Sequence, residues 1–118
     1  MKQIVGSLIY LAALLSLSVF VFDPTHLYYE LPWLDIPMHV MGGIGTASLF
    51  IAINLYRKKK IKLAHLMLFY MVVAISWELY ELANDIMNLS PWNGWTDTVS
   101  DIINGALGSL FAFFIFKK

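Results

Sequence analysis

The sequence predicts an all-α integral membrane protein, a four-helix bundle with both termini cytoplasmic. Three observations predict it. Of its 118 residues, 59% are hydrophobic and only 14% charged, against roughly 45–50% and 25% in soluble domains. Four stretches are each about as long and as apolar as a bilayer span requires. The charges are also segregated by sign: every Lys and Arg falls on one side of the four spans, and every acid outside the spans or in the opposite halves of them.

A chain this short and apolar has no soluble core large enough to hide its hydrophobic surface. We therefore read residues 1–118 as a single transmembrane domain. The spans fall at about residues 4–22, 37–56, 63–83 and 98–116. Asp23-Pro24 ends the first, because proline cannot continue a helix. Arg57-Lys58-Lys59-Lys60 ends the second. Ser90-Pro91-Trp92-Asn93-Gly94 has the turn chemistry of a loop after the third, and Lys117-Lys118 closes the chain. Lys2 and Ser16-Leu17-Ser18 also have the form of a cleaved signal peptide, but the apolar run continues past that site, so a retained span is the reading adopted. Leu27 to Leu34 has the composition of a short interfacial helix. Cysteine is absent, which excludes disulfides and thiolate chemistry.

Basic residues favour the cytoplasmic side. Lys2, the Arg57–Lys62 cluster and Lys117-Lys118 then place both termini in the cytoplasm. The basic side sets topology and touches anionic lipid, so no nucleic-acid partner is expected. Tyr28, Tyr29, Trp33, Trp92 and Trp95 mark the outer interface and Tyr56 the inner one.

The chemistry lies at the acidic end. Asp35 and His39 are four apart on one face of the second span. Glu78, Glu81 and Asp85 follow a three-and-four spacing on the third. Asp97 and Asp101 are four apart on the fourth, where Asn104 and Gly108 continue the stripe. Carboxylates within hydrocarbon are costly, and several packed together repel. No Lys or Arg stands on that side to neutralise them. Shared protons, a bound cation or a protonated His39 must do so. Asp97 also competes as a helix N-cap. Asp23, Glu30 and Asp85 read as solvated helix-end charges, His26 as an interfacial loop residue, and His65 as a structural residue on the cytoplasmic side. Small residues at Gly42, Gly43, Gly45, Ala47, Gly105, Gly108 and Ser109 suit close helix packing.

The pattern Asp35-x-x-x-His39 with Gly42-Gly43, Trp77-Glu78-x-x-Glu81, and Asp97-Thr98-x-x-Asp101 with Gly105 and Gly108 resembles the VanZ-like and YjdF-type bacterial membrane proteins. It departs from the VanZ-like pattern at one point: Asn104 follows Asp101 by three, and Gly105 holds the fourth position. The resemblance implies a polytopic protein of the bacterial cytoplasmic (inner) membrane. VanZ itself is linked to teicoplanin resistance. The small diacylglycerol kinases also place acids near helix ends, but they draw ATP from the cytoplasm, the side opposite these acids, and no glycine-rich phosphate loop is present.

Three functional readings follow. In the first, Asp35, His39, Glu78, Glu81, Asp97 and Asp101 hold a divalent metal ion. Mg, Mn or Ca suits the carboxylates, and His39 admits Zn or Mn. The ion would bind a phosphate-bearing membrane lipid in the cell envelope, and Glu78, Glu81 and His39 would be the catalytic groups if a reaction occurs. In the second, the same groups carry protons or cations across the membrane. In the third, they are interhelical glue in a non-catalytic assembly protein. A homodimer is expected because four short helices bury little against one another.

Overall fold

The computed structural model describes residues 1–22, 30–88 and 94–116. Four helices dominate: α1 (Lys2–Leu17), α2 (Asp35–Tyr56), α3 (Leu63–Ile86) and α4 (Trp95–Phe116). All four are long and apolar enough to cross a membrane. In hydrocarbon a helix is the natural form for such segments, because it satisfies every backbone N–H and C=O within the segment itself. The longest dimension is 44 Å, close to the ~40–45 Å of a bilayer with its headgroups.

The helix ends carry their own stop signals. A five-residue π-helical turn, Ser18–Phe22, extends α1. A 3₁₀ turn, Pro32–Leu34, leads into α2, whose first turn tolerates Pro37 because N–H groups there have no helical partner. At the far end of α2 the chain reverses through Lys58, whose φ of 55° lets the Lys59 N–H reach the Asn54 carbonyl at 2.9 Å. Asn88, at φ 58°, terminates α3 similarly, in a conformation Asn tolerates well. Gly94, at φ +94°, precedes α4.

Three helices begin before their expected spans, α1 already at Lys2, and α3 runs on past its own. α2 starts at Asp35, α3 continues to Ile86, and α4 starts at Trp95. Their polar ends are helical, so Asp35 and Asp97 both lie in first turns. Of the interfacial segment expected over Leu27 to Leu34, residues 27–29 lie outside the described residues, and Pro32–Leu34 forms the 3₁₀ turn. Asp23, His26, Tyr28, Tyr29, Trp92 and Lys117-Lys118 lie outside them too.

α2 and α4 form the centre of the bundle and run parallel. Gly43 and Gly105 bring their backbones together: a Cβ built on Gly43 would collide with the Gly105 carbonyl, and one on Gly108 with the Val40 carbonyl. The Ser109 hydroxyl donates to the Gly43 carbonyl across this seam at 3.0 Å. α3 packs antiparallel to both. Its Tyr70 hydroxyl fills the space over Gly105 and donates to the Ile102 carbonyl at 2.6 Å. α1 lies against α2, where Tyr10 and Leu11 cover Gly45 and the Tyr10 hydroxyl donates to the Met41 carbonyl at 2.9 Å. No residue of α1 is buried.

The tightest core, Ala47, Ile51, Leu66, Ala112 and Phe113, occupies the half of the bundle nearer the start of α1 and the end of α4. Leu8, Leu68, Val72, Leu79 and Phe114 point outward, as lipid-facing positions should. Trp33 and Trp95 are exposed at one end of the bundle and Tyr56 at the other, where amphipathic rings suit the two interfaces.

Candidate functional site

The end of the bundle where α2 and α4 begin and α3 finishes gathers five ionisable side chains. The helical rise of 1.5 Å per residue puts His39 about 6 Å, Asp101 about 9 Å and Glu78 about 12 Å in from their helix ends. Asp101 is the centre. It is 3% exposed, on the α4 face that meets both α2 and α3. Asp35, His39 and Asp101 form one group of potential ligands, with one atom of each within 4.8 Å of the others. Glu78, Glu81 and Asp101 form a second group within the same limit. Asp101 belongs to both.

In the first group the His39 Nε2 atom lies 3.3 Å from Asp35 Oδ1 and 3.3 Å from Asp101 Oδ2. The second approach is not aligned as a hydrogen bond: Oδ2 of Asp101 is buried and accepts none from the described residues. A buried carboxylate oxygen left so is costly. The spacing itself is informative. Ligand atoms sharing a tetrahedral ion with bonds of ~2.0–2.1 Å stand roughly 3.3–3.4 Å apart. Each of the two nitrogen–oxygen separations is compatible with a shared ion as well as with a direct His–carboxylate contact.

In the second group, each glutamate has one oxygen held by a donor from outside the cluster. The Thr98 hydroxyl donates to Glu78 Oε2 at 3.0 Å, and the Trp77 indole N–H donates to Glu81 Oε1 at 2.9 Å. Such outer contacts fix the orientation of a ligating carboxylate. Glu78 is 9% exposed, deep for a residue that no Lys or Arg among the described residues accompanies. The described basic residues Lys2, Arg57, Lys58, Lys59, Lys60 and Lys62 belong to the opposite end.

The structure brings together Asp35, His39, Glu78, Glu81 and Asp101 and leaves Asp97 outside both groups. Because α4 starts at Trp95, Asp97 sits within the first turn and not before it, one turn nearer the helix end than Asp101. Asp85 and Glu30 are exposed, as is His65 on α3. Sequence reasoning missed Tyr70. Its signal was its position eight residues before Glu78, on the same face of α3, in the middle of a span where a phenol needs a partner.

Three further polar side chains of the spans bond within their own helices. Thr46 donates to the Gly42 carbonyl, Ser76 to that of Val72 and Asn54 to that of Phe50, each at 2.7–2.8 Å. Beside the cluster, a groove of about 500 Å³ separates α1 from α3. Leu15, Val19, Val73, Trp77 and Tyr80 are among its lining residues. Trp77 thus borders the groove and hydrogen-bonds the cluster through Glu81.

A family model described as "Predicted membrane protein (DUF2238)" matches residues 2–118. No curated protein and no solved structure matches the chain.

Proposed function

The chain belongs to this family of predicted membrane proteins, DUF2238, and from that premise we propose that its acidic cluster is an intramembrane divalent-cation site that binds a lipid phosphate. The observation that carries the reading is Asp101 Oδ2, buried among potential ligands on three helices and without a hydrogen-bond donor among the described residues. Asp35, His39, Glu78 and Glu81 complete the donor set. Carboxylates and one imidazole suit Mn or Zn, and the carboxylates also suit Mg or Ca. A cation held by these carboxylates would attract a phosphate oxygen. The α1–α3 groove, apolar and bordered by Trp77, supports a lipid over a soluble anion, because it offers an acyl chain a course beside the headgroup site.

Binding is favoured over catalysis by the state of the nearby hydroxyls. Ser76 donates to its own helix and Thr98 to Glu78, so neither is set up as a nucleophile. Glu78, Glu81 and His39 are the groups that would move protons if the bound phosphate reacts. Conduction through the membrane is disfavoured by the apolar core of Ala47, Ile51, Leu66, Ala112 and Phe113 beyond the cluster. The charge pattern supports a location in the bacterial inner membrane with the site toward the outer leaflet.

The test is binding of phosphatidic acid to the detergent-purified protein, read by native mass spectrometry, with and without added manganese. Metal-dependent retention of phosphatidic acid over diacylglycerol is the expected outcome. Equal retention of the two lipids would exclude the phosphate reading.

A further inference from the structure

We infer that the site is binuclear, with the Asp101 carboxylate bridging two inequivalent cations; this rests on the cation reading above and sharpens it. The geometry divides the donors into two groups that share Asp101 alone. One group contains an imidazole and two carboxylates, Asp35, His39 and Asp101. The other contains three carboxylates, Glu78, Glu81 and Asp101. A carboxylate has two oxygens, and one bound to each cation sets a separation of roughly 3.5–4 Å, the spacing of known two-metal sites.

The charge of the fully ionised set is compatible with that number. Asp35, Glu78, Glu81 and Asp101 carry four negative charges when ionised, and no Lys or Arg among the described residues lies at that end. With His39 neutral, as a metal ligand must be, two divalent ions neutralise the set. One ion leaves two uncompensated charges in a medium where each is expensive. The burial of Asp101 is the second observation: its side chain is 3% exposed, and its Oδ2, 3.3 Å from His39 Nε2, accepts no aligned hydrogen bond from the described residues, while both groups close around it.

The two positions differ in character. The imidazole-containing position favours Mn or Zn, and the all-oxygen position also accepts Mg or Ca. A phosphate group spanning the two cations is the ligand such a pair fits best.

The experiment is titration of the metal-stripped, full-length protein in detergent with manganese(II) alone, followed by metal analysis and electron paramagnetic resonance. The expected result is two manganese ions per chain and an exchange-coupled spectrum whose hyperfine spacing is half that of an isolated ion. His39→Gln should reduce the stoichiometry to one and return the uncoupled six-line spectrum, and Glu78→Gln with Glu81→Gln should do the same from the other side. One ion per chain in the wild type, uncoupled, overturns the binuclear inference and leaves the single-cation reading standing. No bound manganese in a helical, monodisperse wild type overturns both. Because the wild type alone decides between these outcomes, a variant that fails to fold does not obscure the answer.

Discussion

At the scale of single residues, the site depends on donors outside it. The Thr98 hydroxyl and the Trp77 indole each hold one oxygen of a glutamate. Such supports are worth ~10–100-fold in metal affinity. Thr98→Val and Trp77→Phe should therefore each weaken cation binding by about 10-fold while leaving helix content unchanged, measured by calorimetric titration beside circular dichroism. Unaltered affinity in both would mean that Glu78 and Glu81 are not ligands. Spacing along the sequence made the faces of Asp35/His39, Glu78/Glu81 and Asp97/Asp101 legible, because helical periodicity reports which residues share a side. It could not report which member of a pair meets the neighbouring helix. Asp97 and Asp101 look equivalent by spacing, yet only Asp101 is buried at the junction of three helices. The difference is one of depth: Asp97 lies in the first turn of α4, and Asp101 one turn further in, where the three helices meet.

At the scale of elements, the glycines of α2 and α4 determine whether the cluster can assemble. A side chain at Gly43 would meet the backbone of Gly105, and one at Gly105 would displace the Tyr70 hydroxyl. Gly43→Ala and Gly105→Ala should each destabilise the fold by about 1–3 kcal/mol, the usual cost of overpacking, and lower the thermal midpoint in detergent. Gly6→Ala is the control, since a Cβ there meets nothing within 4 Å; it should not lower the midpoint. Equal midpoints for all three variants would show that the α2–α4 seam is looser than described. The four helices were legible from length and apolarity, and so was the use of small residues for close approach. The pairing of Gly43 with Gly105, and the part Tyr70 plays over it, were not, because they depend on the relative rotation of helices far apart in sequence.

At the scale of the whole molecule, polarity along the bundle axis separates a site from a conduit. The described acids gather at one end, the described basic residues at the other, and an apolar core lies between the cluster and the basic end. The chain has no cysteine, so single cysteines report topology without background. With the proposed inner-membrane orientation, Lys59→Cys should react with an impermeant maleimide only after that membrane is opened, and Asp85→Cys should react in intact spheroplasts. The reverse pattern would place the acids in the cytoplasm and restore access to ATP. The most direct measurement of the central claim is the divalent metal bound to wild type, Asp101→Asn and Asp97→Asn, purified alike and shown to be folded. Metal retained by wild type and Asp97→Asn but lost by Asp101→Asn is the expected result. Metal that survives in Asp101→Asn, or that is absent from a folded wild type, would contradict a cation site centred on Asp101.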